Sequence, residues 1–159
     1  MRFRPLLVLV ASAGLLVGCV ASGLSSGGTY RKTIGTTTAT TVRQKVPEIL
    51  ASRYGYRFDR RSTQSQYIRY LTGWQQHSVL PAEEKKGYTA VRTRVELIAQ
   101  PRDRASGTYT AEMTLEYMVQ QKGGVAGWTA AEIPSARQNR LDDIYEDLSE
   151  ALTQGIITL

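Results

Sequence analysis

Two long stretches of alternating apolar and polar residues constrain the fold of this chain more than any other feature. In residues 91–99, every second side chain belongs to one mostly apolar set: Val91, Thr93, Val95, Leu97 and Ala99. Residues 109–119 repeat the pattern with Tyr109, Ala111, Met113, Leu115, Tyr117 and Val119. A period of two is that of a β-strand, in which successive side chains point to opposite faces. The pattern therefore predicts an antiparallel pair with one face on a core and the other facing solvent or a partner.

Two helices are predicted on either side of these strands. Apolar residues recur at helical spacing over residues 36–53 and again over residues 135–156. The residues of the two apolar stripes are Val42, Val46, Ile49 and Leu50 in the first helix and Leu141, Ile144, Tyr145, Leu148, either Ala151 or Leu152, and Ile156 in the second. Acidic residues occupy the other side of the second helix, and we interpret them as a solvated face.

Shorter alternating patterns add two strands, one at Tyr56 and Phe58 and one over residues 68–74, separated by the polar stretch 60–66. The alternation also places Trp74 on the apolar face, which predicts a core residue. The predicted fold class is α+β. We expect an antiparallel sheet of about four strands, with the N-terminal and the C-terminal helix packed on one face.

The first eighteen residues have the features of an export signal. Arg2 and Arg4 form a basic head, and an apolar stretch follows over residues 5–17. This stretch is too short to span a bilayer comfortably. A basic head, a short apolar body and small residues at the end are typical of a secretory signal peptide.

The signal ends in Leu16, Val17, Gly18 and Cys19. This segment resembles the lipobox of bacterial lipoprotein precursors. The resemblance implies cleavage between Gly18 and Cys19 and attachment of lipid to the Cys19 thiol, so that acyl chains anchor the protein in membrane lipid. Val20 stands where some lipoproteins carry the Asp that retains them in the inner membrane. The resemblance therefore favours the outer membrane, with the protein facing the periplasm; the inner membrane and the cell surface stay open.

The domain organisation follows from these features. Residues 1–18 are the predicted signal peptide, and residues 19–35 are the lipidated cysteine with a Gly/Ser-rich flexible tether. Residues 36–159 form a single α+β periplasmic domain. The formal net charge is +6, with basic and acidic residues well mixed, which argues against a nucleic-acid partner.

No catalytic residue, cofactor site or metal site is predicted. Cys19 is the only cysteine and His77 the only histidine, so a cysteine-rich or histidine-rich metal site is excluded. We expect His77 to be an exposed loop histidine. The run of Glu83, Glu84, Lys85 and Lys86 is interpreted as a charged loop tip.

The predicted outer face of the sheet is the candidate partner-binding surface. Arginines mixed with aromatic residues are typical of protein interfaces. The residues proposed for this surface are Arg57, Tyr67, Arg69, Arg92, Arg94 and Trp128. The alternative is an ordinary solvated sheet face, in which glutamates of the neighbouring strands neutralise the arginines.

A second resemblance covers about twenty residues. Gly55, Tyr56 and Phe58, followed by Ile68 through Trp74, are similar to a helix–strand–hairpin pattern in small envelope lipoproteins such as the component C lipoproteins of the β-barrel assembly machinery. The resemblance implies a helix-on-sheet domain without enzymatic activity. The expected function is that of a non-enzymatic, membrane-anchored accessory or scaffold in envelope assembly, with an unidentified envelope protein as partner. The alternative is a module that binds lipid, lipopolysaccharide or another amphiphile.

Overall fold

A computed structural model describes residues 27–64, 66–103, 105–123 and 127–154. The elements in chain order are β1 (Thr29–Thr38), α1 (Ala39–Pro47), a π-helical turn (Glu48–Arg53), β2 (Phe58–Gln64), β3 (Tyr67–Thr72), β4 (Gln75–His77), α2 (Pro81–Glu84), β5 (Tyr88–Asp103), β6 (Thr108–Gln121), β7 (Thr129–Ala130) and α3 (Ser135–Thr153).

One antiparallel sheet contains all seven of these strands. Five form a continuous path in the order β1-β6-β5-β3-β2. The two short strands extend it at one end, because β4 pairs with β5 beyond the end of β3, and β7 pairs with β6 beyond the start of β1.

The predicted fold class is wrong in its architecture. The sequence predicted about four strands with two helices on one face, whereas the described residues form a seven-stranded sheet and three helices. The main error lies at the N-terminal side, where a strand, β1, precedes the first helix. Its composition of threonine, glycine and charged residues has little apolar periodicity; the strand pairs with β6 and buries Ile34 and Thr37.

The long hairpin of β5 and β6 is confirmed. Val95 lies opposite Leu115, and Leu97 lies opposite Met113, in antiparallel register. Every second residue of each strand is buried, so the alternation separates a core face from an outer face along the full hairpin. This hairpin is the centre of the sheet and positions the residues discussed below.

The terminal helix α3 covers the core as its apolar stripe predicts. Leu141, Ile144, Leu148 and Leu152 are all buried, whereas Ile156 lies outside the described residues. The helix contacts β1 and α1, so the predicted packing against the central strands is replaced in part by packing against the missed strand. Burial of four branched side chains gives this helix a stabilising role in the domain.

The N-terminal helix begins at Ala39, three residues after the predicted start. The Thr38 hydroxyl accepts a hydrogen bond from the Thr41 amide at 3.2 Å and caps the helix. Pro47 has no amide hydrogen to donate, and the helix continues as the π-helical turn after it. Residues 29–35 of the predicted tether belong to β1, while the signal segment, Gly18, Cys19 and the first part of the tether lie outside the described residues.

None of the helices described between residues 27 and 154 is both long and apolar enough to cross a membrane.

Candidate functional site

The outer face of the sheet, opposite the side on which α3 packs, carries a cluster of two arginines and two tryptophans. The guanidinium carbon of Arg92 lies 4.2 Å from the centre of the Trp74 ring and 4.1 Å from the centre of the Trp128 ring. Arg94 lies 4.6 Å from the Trp74 ring. We call Trp74, Arg92, Arg94 and Trp128 the arginine–tryptophan cluster. The Arg92 guanidinium group therefore makes cation–π contacts with both indole rings.

The two short strands bring the tryptophans to this position. Trp74 immediately precedes β4, in which Gln76 pairs with Arg92. Trp128 immediately precedes β7, in which Ala130 pairs with Met118, the residue opposite Arg92 on β6. Each tryptophan thus enters the outer face from a strand that flanks the long hairpin, and Arg92 lies between them.

The two arginines differ in their partners. Arg94 donates a hydrogen bond to Glu116 at 2.9 Å, whereas the Nη2 atom of Arg92 contacts the sulfur of Met118 at 3.5 Å. The Nε atoms of both arginines are buried, and neither has a hydrogen-bond partner among the described residues. Burial, together with the charge of Arg94, lowers the pKa of Arg92 from its usual value. The cluster therefore contains more positive charge than its surroundings neutralise.

Of the six residues predicted for the partner-binding face, Arg92, Arg94 and Trp128 lie together in the cluster. Arg57 is exposed beside it, where a shallow polar cleft is lined by Gly55, Arg57, Gly73, Trp74, Gln75 and Gln76. Tyr67 and Arg69 lie farther along the same face on β3, and Arg69 is paired with Glu96. The alternative, a solvated face whose arginines are neutralised by glutamates of neighbouring strands, therefore holds for Arg69 and Arg94 but not for Arg92.

The prediction that Trp74 is a core residue is wrong. β3 ends at Thr72, and Gly73 interrupts the alternation before Trp74. The backbone amide of Gly73 donates to the Arg57 carbonyl at 2.7 Å at the point where the strand ends. Trp74 is consequently only partly buried and lies over Arg92 on the outer face. In the sequence, Gly73 is the residue that could have indicated this interruption of the strand.

The buried ion pair between Glu83 and Arg137 was not predicted from the sequence. Glu83 was interpreted as part of a charged loop tip, but its side chain is fully buried. It accepts hydrogen bonds from Arg137 Nε and Nη2 at 2.9 Å each, from the Tyr117 hydroxyl at 2.8 Å and from the Leu80 amide at 2.8 Å. Burial raises the pKa of this carboxyl group, but the hydrogen bonds outweigh burial, and the pKa lies below its usual value. These hydrogen bonds join Glu83 on α2 to Arg137 on α3 and to Tyr117 on β6.

His77 is a strand residue rather than the exposed loop histidine that we predicted. Its Nε2 lies 2.7 Å from the Thr93 hydroxyl, which in turn lies 2.8 Å from the Tyr56 hydroxyl. Burial and the charges of Arg137 and Arg140 lower the pKa of His77 to about 4. Because Thr93 is only 2% exposed, a substrate could not reach its hydroxyl group, and this hydrogen-bonded chain serves to connect β4 and β5 with the segment before β2.

The acidic side of α3 is only partly the solvated face that the sequence predicted. Asp142 accepts a hydrogen bond from Lys32 at 2.7 Å and also contacts the Tyr30 hydroxyl. Asp147 bonds to Arg53 and Tyr54. These contacts attach α3 to β1 and to the π-helical turn. In the part of the chain that the structure describes, no three His, Cys, Asp or Glu side chains form a group able to hold a metal ion.

A comparison with protein-family models finds no match to this chain, and a search of curated proteins finds none either.

Proposed function

We propose that this chain is a non-enzymatic, membrane-anchored lipoprotein, an accessory or scaffold in envelope assembly that binds a partner protein through the arginine–tryptophan cluster. The observation that carries this proposal is the position of Arg92 between two partly exposed indole rings on a sheet face. Tryptophan and arginine are the residues that most often dominate the energy of protein interfaces. A sheet face that presents both in a preformed stack is suited to rigid docking.

The packing of the domain favours a protein partner over an amphiphile. A lipid carrier needs an apolar cavity between its sheet and its helices. In the described residues, that space is occupied by Leu97, Met113, Leu115, Leu148 and other side chains that are fully buried against one another. We therefore place the partner-binding surface on the outer face of the sheet rather than in the interior.

The lipid anchor that the lipobox implies would bring this cluster near the membrane. The Tyr117 amide donates to the Gly28 carbonyl at 2.7 Å, so Gly28 lies beside β6 and close to Ala130 of β7. The stretch between Cys19 and Gly28 spans at most about 30 Å when fully extended. With Cys19 lipidated, a partner at the cluster would lie close to the bilayer surface, as a component of an envelope assembly does.

Site-specific photocrosslinking in intact cells tests the proposal. A photoreactive residue at Gln76, which is exposed and pairs with Arg92, should give a crosslinked protein that mass spectrometry identifies. The matched control is Asn139, which is exposed on α3. The product should form from Gln76 and not from Asn139, and should weaken when Trp128 is replaced by Ala. Products from Asn139 alone, or products indifferent to Trp128, would refute the proposed surface.

A further inference from the structure

The arginine–tryptophan cluster holds a positive charge that lacks a carboxylate partner among the described residues. Glu116 neutralises Arg94, and Glu96 neutralises Arg69, but the contact of Arg92 is to the uncharged sulfur of Met118. The Arg92 Nε atom is buried and makes no hydrogen bond within the described residues. Arg92 as a whole is only partly buried, so an incoming anion can reach the rest of its guanidinium group and neutralise the charge.

The planar guanidinium group of Arg92 determines how an anion can pair with it. Two indole rings lie within 4.2 Å of its central carbon, and its N–H groups point outward in the plane of the group. A guanidinium edge is matched by the two oxygens of a carboxylate, which accept parallel hydrogen bonds. We propose that the cluster receives an Asp or Glu side chain from an acidic segment of the partner protein, an inference that rests on the function proposed above.

The surroundings of the cluster favour a peptide over a lipid headgroup. The shallow cleft beside Trp74 is lined by glycines, two glutamines and Arg57. Amide side chains and exposed backbone suit hydrogen bonding to an extended peptide, whereas acyl chains would require an apolar surface. The exposed Arg57 adds a second positive charge at the edge of the cleft, which complements an acidic segment.

The intrinsic fluorescence of the protein gives a direct test, because the chain has two tryptophans and both belong to the cluster. The full chain, reconstituted in phosphatidylcholine vesicles, is titrated with a hexaglutamate peptide and, as control, with hexaglutamine. Hexaglutamate should change the emission saturably, and added salt should weaken the effect. Hexaglutamine should have no effect. An equal response to both peptides, or no response to hexaglutamate, would overturn the proposal.

Two variants show whether the stacked guanidinium group is responsible. Arg92→Lys keeps the charge but loses the planar edge, and it should weaken hexaglutamate binding by about tenfold or more. Arg102→Lys, at the other end of β5, should bind as the unaltered chain does. If Arg92→Lys does not fold, Trp128→Leu serves as the second variant. It removes one of the two indole rings that contact Arg92, and it should also weaken hexaglutamate binding. Unchanged binding in a folded Arg92→Lys chain would contradict the proposal.

A lipid headgroup is distinguished by a second arm of the experiment. Vesicles that contain phosphatidylglycerol should leave the tryptophan emission unchanged in the absence of peptide. If these vesicles changed the tryptophan emission in a way that depends on Arg92, and hexaglutamate did not change it, the cluster would be assigned to lipid binding. A crosslinked partner from Gln76 whose binding does not depend on Arg92 would leave the proposed function standing and refute only the carboxylate contact.

Discussion

Arg137 on α3 and Glu83 on α2 form a doubly hydrogen-bonded ion pair in the interior, with Nε–Oε1 and Nη2–Oε2 distances of 2.9 Å. Removing one member of such a pair leaves an uncompensated buried charge. Arg137→Met should therefore lower the free energy of unfolding by about 3–5 kcal/mol. Urea denaturation at pH 7 measures the loss. Arg140→Met, which removes an exposed arginine from the same helix, is the control and should stay within about 0.5 kcal/mol.

His77 should make the domain less stable in mild acid. Its pKa is lowered from 6.5 to about 4 in the folded chain, so the unfolded chain binds a proton at a higher pH than the folded chain does. Stability is therefore lost as pH falls from about 6.5 to about 4, by roughly 1–3 kcal/mol for this partly buried group. Urea denaturation at a series of pH values should show this slope, and His77→Gln should flatten it. An identical slope in the variant would contradict the assignment.

Leu148 and Glu146 test the packing of α3. Leu148 is fully buried, whereas Glu146 is exposed on the other side of the helix. Leu148→Ala should cost about 2–5 kcal/mol, because it removes buried methyl groups and leaves a cavity. Glu146→Ala should change stability by less than about 0.5 kcal/mol. Equal small effects would mean that α3 does not cover the core.

A comparison of β1 with the hairpin of β5 and β6 shows which strands the sequence could predict. The hairpin was predicted because its strands bury one face and expose the other, and this separation leaves a period of two in the residue types. β1 shows no such pattern, since Ile34 is its only buried large apolar side chain and threonines fill its second half. Its position is decided by pairing with β6, which is a long-range contact that the local composition does not encode.

The candidate site was predicted in part for similar reasons. Arg92 and Arg94 follow from alternation along β5, so their place on the outer face was predictable. The position of Trp74 depends on the end of β3 at Thr72 and on Gly73, which interrupts the alternation so that Trp74 lies on the outer face. The burial of Glu83 could not be predicted from Glu83, Glu84, Lys85 and Lys86, because its partner Arg137 is far away in the sequence.

Cys19 should carry the whole membrane attachment that the lipobox implies. Cys19→Ser removes the only thiol in the chain and so the acceptor for the lipid. The variant should accumulate as an unprocessed or soluble protein, which fractionation of cells and mass spectrometry of the N-terminus would show. Recovery of mature, lipidated protein in the membrane fraction would refute the lipoprotein assignment.

The central claim is that the outer face of the sheet, and not the helical layer, binds the partner protein. The most direct measurement is the dissociation constant of the partner identified by crosslinking at Gln76, determined for two alanine variants of the full chain. Trp128→Ala should weaken binding by at least about tenfold, because it removes an aromatic anchor from the cluster. Asn139→Ala, on the exposed side of α3, should bind as the unaltered chain does. Full affinity in Trp128→Ala together with a loss in Asn139→Ala would place the interface on the helices and contradict the account.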